Sequence, residues 1–516
     1  MIHWILGVAL MLLGWLLPRQ AAETRWQRSA ALPMDLLLPL GLFALVLALS
    51  ARPVLAGVVT LAAGAGWARA DRDKRRVLAE PIVFTDVFQA LDIARHPQLA
   101  MPFPHKAPLV LAALGTIAFF TLVTYFEPPA WHGRPWLPLA FLTVAALVIR
   151  AGRKLLPIWY QGFRRQQLTT DPALDGMRHG PLATLLLYGL FAHHERAAHR
   201  ARLTPPAAAA STPSASQTRD AGPVVLVQSE SFFDARRLHP GIPATLLPHF
   251  GRACQDSVQW GRFAVPSWGA NTVRTEFAVL TGLGPQAIGF DRFNPYYRFA
   301  DEPIQSLAWR LKREGYHTVC LHPFDRHFYR RDQVMPNLGF DEFLGEELFE
   351  GAQRINGYVS DVAVAEVARR LIRERGPKVF LLVITMENHG PWSGAPDRQI
   401  AELAGLPLDD GERLGLNHYL ASLVHADALF GMLRAELEAQ AAPAVLGFYG
   451  DHLPSFPTVF PKLGLDTAHS DYLIWRSAGG PGVEKELPAE HLAAALMAAR
   501  DQAAGGSSRA SSQTIL

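Results

Sequence analysis

The sequence predicts an α-helical membrane part of about five spans, residues 1–150, followed by an α/β domain with a largely parallel central sheet, residues 224–500. Apolar segments of membrane-spanning character lie within the first 150 residues. After residue 223, short β-branched runs alternate with helical patterns, which is typical of α/β domains. At 516 residues the chain is long enough for two or three folding units.

Five apolar segments account for the predicted membrane part: residues 4–17, 34–50, 53–67, 108–125 and 136–149. A spanning helix needs roughly 20 mostly apolar residues. The first and third segments are short by this measure, and the other three fit a spanning helix better. The first segment lacks the basic start and the A-x-A site of a cleaved signal peptide. We therefore predict that it is a retained anchor.

The segments between and after these spans differ in composition. Residues 69–101 begin with a charge cluster and continue as an amphipathic stretch, so we expect them to lie along the membrane surface. Residues 151–203 form a basic, aromatic juxtamembrane segment with helical character. Residues 204–223 are rich in Pro, Ala, Ser and Thr, and residues 501–516 in Gly and Ser. The former predict a disordered linker and the latter a disordered tail.

Charge and cysteine content exclude two classes of site. The net charge is +3 and the basic residues are scattered, so a nucleic-acid partner is not expected. Cys254 and Cys320 have no C-x-x-C spacing and cannot by themselves form a thiolate metal site. One disulfide is conceivable in an oxidising compartment, but we interpret both as ordinary buried residues.

Four predicted strands, residues 224–227, 317–321, 379–385 and 444–449, are each followed closely by polar side chains. Helical patterns at 273–280, 304–314, 360–374 and 419–438 alternate with them. Ligands bind at the carboxyl ends of the strands in open α/β sheets, so these side chains predict the active site. In chain order they are Glu230, His322, Glu387, Asn388, His389, Asp451 and His452.

Three of these residues predict a metal site. Glu230, Asp451 and His452 supply carboxylate oxygen and imidazole nitrogen without thiolate. That ligand set suits Mn²⁺, Mg²⁺ or Zn²⁺. The residue types alone do not choose among those ions.

The candidate nucleophile is Thr272, where a loop with Pro and Gly runs into a helical pattern. Free amides and the positive dipole end at a helix N-terminus favour a phosphate there. A metal on the hydroxyl would lower its pKa. The alternative is that Asn271 or Thr272 only caps the helix.

Three motifs in this order resemble the lipoteichoic acid synthase and phosphoglycerol transferase family, a sulfatase-like branch of the alkaline phosphatase superfamily. They are Ser229-Glu230-Ser231, Asn271-Thr272-Val273-Arg274-Thr275-Glu276-Phe277 with Leu280-Thr281-Gly282, and Tyr449-Gly450-Asp451-His452. The resemblance covers nearly the whole chain: spans, linker and catalytic domain. It implies a sulfatase-like fold for residues 224–500.

The resemblance also implies roles for individual residues. Glu230, Thr272, Asp451 and His452 would hold one divalent metal, usually Mn²⁺ in this family, with Thr272 also the nucleophile. In the stretch from 322 to 332 the spacing of histidine, aromatic residue and arginine matches the family's substrate site. The implied substrate-binding residues are His322, Tyr329, Arg331 and His389, and His389 could also protonate a leaving group.

This substrate site shows one departure from the family pattern, which bears on the contacts to polymer or headgroup, and leaves one alternative open. The aromatic position is Tyr329, where Gram-positive enzymes of the family carry Trp. Arg330 could take the place of Arg331.

The implied activity is transfer of glycerophosphate from phosphatidylglycerol to a hydroxyl of an envelope glycan or polymer, through a phosphothreonine intermediate. The alternatives are a phosphoethanolamine transferase, which usually carries more cysteines, a sulfatase-like phosphodiesterase or hydrolase, and a catalytically idle scaffold. No C/S-x-P-x-R motif for formylglycine precedes Thr272. Ala- and Arg-rich usage indicates a high-GC bacterium. A periplasmic glucan is the expected acceptor if that bacterium is Gram-negative.

Two arguments about orientation disagree. The resemblance implies a multi-pass protein of the bacterial inner membrane whose catalytic domain faces the periplasm or exterior. With five spans, however, several basic stretches would share that outer face, against the positive-inside rule. We follow the resemblance, because the lipid donor and the envelope acceptor meet outside.

Overall fold

The computed structural model describes residues 1–25, 31–88, 168–203, 222–392, 398–400, 403, 405–465 and 467–503, with scattered residues between 115 and 163. The chain divides into two compact units. The first comprises Met1–Val87 and Pro102–Arg196, and the second Phe88–Met101 and Ala197–Leu516.

Within the residues that the structure describes, the first unit contains four complete helices and the start of a fifth. These are α1 (Ile2–Ala21), α2 (Leu32–Ser50), α3 (Pro53–Leu78), α4 (Pro172–His179) and α5 (Pro181–Leu203). Helices α1, α2 and α3 are long and apolar enough to cross a membrane. The first three predicted spans are therefore helical, whereas the fourth and fifth fall largely outside the described residues, as does most of the predicted linker.

Helix α3 is longer than its predicted span because it continues through the charge cluster. Arg75 lies 2.6 Å from Asp71 and Arg69 lies 2.6 Å from Asp73, both at i,i+4 spacing. Such pairs stabilise a helix. Residues 69–78 are therefore the end of α3 and not the start of a separate surface segment, while residues 89–101 lie outside the described residues.

Glycines allow α1 and α3 to approach closely. A Cβ on Gly64 would lie 2.0 Å from the carbonyl oxygen of Gly14, and one on Gly7 would lie 2.2 Å from that of Pro53. Both distances are far inside van der Waals contact. Small residues at such positions are typical of helix pairs in membranes.

The second unit is built on a nine-stranded sheet. Its strands are β1 (Val224–Ser229), β2 (Gln259–Ala264), β3 (His317–Leu321), β4 (Glu342–Leu344), β7 (Val379–Ile384), β8 (Val445–Gly450), β9 (Ser470–Arg476), β10 (Val483–Glu484) and β11 (Leu487–Pro488). The order is β10-β2-β9-β8-β1-β7-β3-β4, with β11 beside β2. Strand β9 is antiparallel to both neighbours, and the other pairs are parallel, so the predicted largely parallel sheet is confirmed. A separate hairpin pairs β5 (Arg354–Ile355) with β6 (Tyr358–Val359).

Helices cover both faces of this sheet. They are α6 (Pro248–Asp256), α7 (Thr272–Thr281), α8 (Pro285–Ile288), α9 (Pro295–Phe299), α10 (Leu307–Arg313), α11 (Arg331–Asn337), α12 (Asp361–Arg375), α13 (Asp410–Glu438), α14 (Val459–Lys462) and α15 (Leu492–Ala503). Alternate residues of each central strand pack into different cores. In β1, Val225 and Val227 join the core under α12 and α13, and Val224 and Leu226 join the core under α7 and α10. Burial on both faces explains why these strands read as continuous apolar runs.

Predicted and observed helices differ mainly at their starts. Helix α13 begins at Asp410, well before the predicted residue 419, because Asp409 and Glu412 form a capping box. Helix α15 includes residues 501–503 of the predicted tail, and the rest of the tail lies outside the described residues. Cys254 and Cys320 are both buried and free, as predicted.

Candidate active site

The carboxyl ends of four neighbouring strands bring the predicted site residues together. Strands β8, β1, β7 and β3 lie side by side and are parallel. Ser229 pairs with Gly450 at the last register position. Glu230 and Asp451 therefore leave the sheet next to each other.

A glycine is required where β8 ends. A Cβ on Gly450 would lie 1.8 Å from the carbonyl oxygen of Phe232, because the chain after β1 turns back across it. The same turn places the amide of Ser231 so that it donates to Oδ1 of Asp451 at 2.8 Å. The loop after β1 thus orients a side chain of the neighbouring strand end.

Glu230, Asp451 and His452 form a buried cluster. One ligand atom from each lies within 4.8 Å of the others, and this is the only such cluster of three found among the described residues. Nε2 of His452 is 3.2 Å from Oδ2 of Asp451 and 3.6 Å from Oε1 of Glu230. Nδ1 of His452 is 2.9 Å from the carbonyl oxygen of Leu453, which leaves Nε2 for the cluster.

The electrostatics of this cluster fit a divalent cation. Burial and the charge of Glu230 raise the pKa of Asp451 to about 7. Burial disfavours the charged imidazole of His452, but Asp451 and Glu230 outweigh it and raise its pKa. Oδ2 of Asp451 accepts no hydrogen bond from the described residues, although it is buried. Two buried carboxylates, one with an unsatisfied oxygen, are a donor set that a cation would stabilise.

Thr272 is the first residue of α7, and its hydroxyl faces this cluster. Oγ1 lies 3.4 Å from Nε2 of His452. Asn271 occupies the N-cap position in the left-handed region, with φ 65°, and its side chain does not cap the helix. Thr275, one turn later, donates to the carbonyl oxygen of Asp451 at 2.7 Å and ties α7 to β8. The side chain of Asn271 thus does not cap α7, and the role of Thr272 as nucleophile stays a prediction.

His322 and Arg331 form a second buried group. Nη1 of Arg331 is 3.3 Å from Nε2 of His322, and Nη2 donates to Glu276 at 2.9 Å. Burial and the adjacent guanidinium lower the pKa of His322 well below its ordinary value, so it is neutral near pH 7. Burial alone would lower the pKa of Arg331. The charge of Glu276 and its hydrogen bonds to Arg331 outweigh burial, so the pKa of Arg331 is raised.

Glu276 is a site residue that the motif contained but to which we assigned no role. It lies on α7 with Thr272, and it also accepts hydrogen bonds from Tyr296 at 2.6 Å and Gln228 at 2.9 Å. Gln228 is the residue before Ser229 on β1. Glu276 therefore holds Arg331 beside the strand ends and positions one guanidinium nitrogen against His322.

The structure distinguishes Arg331 from Arg330. Arg331 is 2% exposed, whereas Arg330 is half-buried and contacts Asp301 at 3.0 Å. Tyr329 and Arg330 both have φ 57°, an uncommon conformation for residues other than glycine. Such a conformation costs free energy and persists only where the surrounding structure holds it.

His389 lies beside the hairpin β5–β6. Its Nδ1 is 3.2 Å from the hydroxyl of Tyr358 and 2.7 Å from the carbonyl oxygen of Gly390. Burial and the charge of Glu230 raise the pKa of Tyr358, so its hydroxyl stays protonated. Tyr358 is a neighbour of the site that the sequence analysis did not identify.

A third buried group follows β7 and joins the predicted Glu387 to two residues that were not predicted, Asp361 and His425. Oε1 of Glu387 lies 2.6 Å from Nδ1 of His425, and Oε2 accepts from the amide of Asp361 at 2.7 Å. Burial and the nearby Glu387 raise the pKa of Asp361 well above its ordinary value. His425 therefore belongs to a hydrogen-bonded group next to the end of β7.

Glu276→Gln should destabilise the protein by about 3 to 5 kcal/mol, because it leaves the buried Arg331 without its partner charge. Thermal unfolding of the purified protein would measure this as a lower Tm. The matched control is Glu374→Gln, since Glu374 pairs with Arg370 in an exposed position and should cost about 0 to 1 kcal/mol. Equal Tm values for both variants would contradict the assignment.

Comparison with known proteins identifies related chains. A family model described as Sulfatase matches residues 223–500. The capsular polysaccharide biosynthesis protein RkpI of Rhizobium meliloti (strain 1021) is 32% identical over 472 residues, which cover 87% of this chain and 81% of that protein. A putative cyclic beta-1,2-glucan modification protein of the same strain is 28% identical over 268 residues, 52% of this chain and 40% of that protein.

One solved structure is similar along almost the whole chain. It is the integral membrane protein lipooligosaccharide phosphoethanolamine transferase A (EptA) from Neisseria meningitidis, with a TM-score of 0.55, 14% sequence identity, and coverage of 96% of this chain and 95% of that one. At this identity the likeness shows the fold alone. It agrees with long N-terminal helices followed by a sulfatase-like α/β domain.

Proposed function

Because the chain belongs to the sulfatase family, we propose that it is a membrane-anchored, metal-dependent phosphotransferase that moves glycerophosphate from phosphatidylglycerol to a hydroxyl of an envelope glycan. One observation carries the proposal. The hydroxyl of Thr272, at the N-terminus of α7, faces the buried cluster of Glu230, Asp451 and His452.

In the first step Oγ1 of Thr272 gives its proton to water and attacks phosphorus, and the bond from phosphorus to the diacylglycerol oxygen breaks. Diacylglycerol leaves with a proton, which His389 supplies in this proposal. In the second step the acceptor hydroxyl gives its proton to His389 and attacks phosphothreonine. The bond from phosphorus to the threonine oxygen breaks, the glycerophosphate passes to the acceptor, and the threonine oxygen takes a proton from water. Amides at the start of α7 face the phosphate as charge develops on its oxygens.

A divalent cation held by Glu230, Asp451, His452 and Thr272 would lower the pKa of the threonine hydroxyl and offset the charge of the phosphate. By family resemblance we propose Mn²⁺, with Mg²⁺ and Zn²⁺ compatible with the same ligands. The buried carboxylates supply the negative charge that such an ion requires.

Arg331 and His322 would bind the remaining phosphate oxygens, and Tyr329 would contact the headgroup. Arginine suits a phosphate because its nitrogens form a planar fork. Nε and Nη2 of Arg331 donate to Glu276. Nη1, which lies beside His322, is therefore the nitrogen that would bind a phosphate oxygen. His322 is neutral near pH 7 and adds no charge; its Nδ1 lies 3.5 Å from the carbonyl oxygen of Ile384, so Nε2 is the ring nitrogen that would face the phosphate.

The anchor and the relatives support the proposed donor and acceptor. Helices α1, α2 and α3 would hold the enzyme at a bilayer, where a lipid donor is found. RkpI is described as a capsular polysaccharide biosynthesis protein, and the second relative as a putative cyclic beta-1,2-glucan modification protein. Both names concern glycans, which supports a glycan acceptor here.

Labelled phosphatidylglycerol tests this function. Purified protein with Mn²⁺ and a neutral glucan should transfer a headgroup label to the glucan, while a tail label should appear in diacylglycerol. Phosphatidylethanolamine carrying a labelled headgroup is the matched donor. Preferential transfer from that lipid would replace glycerophosphate by phosphoethanolamine, and release of free headgroup only would indicate a hydrolase.

The same labels test the orientation that we propose, with the catalytic domain outside the inner membrane. In intact spheroplasts, external protease should remove transfer activity, because residues 224–500 would be accessible. Activity that survives external protease, and is lost only after lysis, would place the domain in the cytoplasm.

Phosphoethanolamine transfer is the second candidate, favoured by the fold likeness to EptA along the chain. Cys254 and Cys320 are buried and free, so neither stabilises the domain through a disulfide. Two free cysteines therefore count against a phosphoethanolamine transferase, since that class usually carries more cysteines. The two-donor comparison decides between them.

A further inference from the structure

A cavity of about 610 Å³ lies next to the candidate active site within the second unit. Ligand pockets typically have about 300 to 1,000 Å³. Its walls come from the loop after β3, the segment before β5, and the hairpin β5–β6. None of these elements contributes to the metal cluster, so the cavity is separate from it.

Two contacts connect the cavity to the reacting groups. Tyr358 lines the cavity, and its hydroxyl is 3.2 Å from Nδ1 of His389. Phe324, also in the lining, donates its amide to the carbonyl oxygen of His322 at 2.8 Å. A molecule in the cavity would therefore lie beside Tyr358, which contacts His389, whereas the fully buried His322 is connected to the cavity only through the backbone of Phe324.

The cavity combines an aromatic floor with a charged rim. Phe324 and Tyr358 are buried and pack together with Met386 and the half-buried Phe328. The rim residues Glu346 and Arg354 are exposed. Flat apolar faces below and hydrogen-bonding groups above match a sugar ring, which has C–H faces and hydroxyl edges.

The charges of the rim are paired with one another. Arg354 donates to Glu346 at 2.6 Å, and Arg326 pairs with Glu347. His327 lies 2.9 Å from Asp325. Each basic side chain thus already has a carboxylate partner. An anionic lipid headgroup would gain little binding free energy in such a site, because the basic side chains are already paired. A neutral hydroxyl can donate to the carboxylate of a pair and accept from its basic partner.

We propose that this cavity is the acceptor subsite and that it binds a neutral saccharide, with one hydroxyl directed past Tyr358 toward phosphorylated Thr272. The proposal rests on the proposed function for its role in transfer. Its binding part stands on the cavity alone. No bond is made or broken there beyond the attack of the acceptor hydroxyl described above.

The first measurement is direct binding to the full-length protein in detergent micelles, by titration calorimetry. The probes are a neutral β-linked glucose trisaccharide, a uronic acid trisaccharide and glycerol 1-phosphate. We expect the neutral trisaccharide to bind most tightly, and Arg354→Ala or Phe324→Leu to weaken it at least tenfold. Arg370→Ala, which removes an exposed arginine of α12, is the matched control and should not change its affinity.

The second measurement separates the two proposals. Adduct formation on the enzyme with donor but no acceptor reports the proposed function, and the KM for the trisaccharide reports the subsite. Arg354→Ala should raise that KM by a factor at least ten times larger than the factor by which it changes the rate of adduct formation. Tighter binding of either charged probe, equal trisaccharide affinity in Arg354→Ala and Arg370→Ala, or equal losses in both half-reactions would overturn the subsite. An absent adduct in the wild type would instead refute the proposed function and leave the binding result valid.

Discussion

Thr272→Ala should abolish transfer while the protein keeps its fold. We expect a loss on the order of 10³-fold or more, because the step that forms phosphothreonine has no other hydroxyl in its place. The structural cost should be small. Loss of a capping side chain costs about 0.5 to 2 kcal/mol, and the Thr272 hydroxyl faces His452 at 3.4 Å. Turnover with labelled donor and Tm of the same preparation measure both effects.

Two further variants make the result for Thr272 specific. Thr272→Ser keeps the hydroxyl and should retain part of the activity. Thr281→Ala removes a hydroxyl at the other end of α7, where it donates to the carbonyl oxygen of Phe277, and should leave turnover unchanged. Mass spectrometry of enzyme quenched with donor alone should find glycerophosphate on the peptide with Thr272. An adduct on another peptide would contradict the mechanism.

Asp451→Asn and Glu230→Gln should each remove the metal and the activity. Each replaces an anionic ligand by a neutral amide at a site that is less than 4% exposed. Replacing groups that only orient a metal ligand already costs about 10- to 100-fold, so we expect at least about 100-fold for a ligand itself. Elemental analysis should find one metal per wild-type chain and much less in the variants.

Chelation should have the same effect on the wild type, and Mn²⁺ should restore activity best. The matched control is Asp427→Asn, a buried carboxylate that accepts from the amides of His249 and Phe250. It should lower Tm and keep metal content. Full activity in excess chelator, or normal metal content in Asp451→Asn, would show that the cluster is not the metal site.

The sheet was predictable where its strands are buried on both faces. Strand β3 coincides with its predicted range and β1, β7 and β8 nearly do, because parallel strands between two helical layers are continuous apolar runs. Strands β2 and β9 were missed. Strand β2 carries Gly261 and the exposed Arg262, and β9 begins with polar Ser470 and Asp471, so neither shows a clear run.

The site was predictable to the extent that strand ends determine it. The rule for strand ends placed Glu230, Asp451 and His452 at one edge, and the structure brings them within 4.8 Å. The pairs Glu276–Arg331 and Glu387–His425 join distant parts of the chain. Glu387 and Arg331 were indicated by local patterns, but their partners lie on helices whose position depends on tertiary packing, so no local pattern indicates the pairing.

The glycine contacts between α1 and α3 limit how this anchor can change during evolution. On α3, Gly64 faces the backbone of Gly14, whereas a Cβ on Gly66, two residues later, would meet nothing within 4 Å. A lineage can therefore replace Gly66 by any small or apolar residue at once, while a larger residue at Gly64 would first require the two helices to move apart. Two nearby glycines of the same helix are thus under opposite constraints: Gly66 can accept a side chain, and Gly64 is restricted by the partner helix.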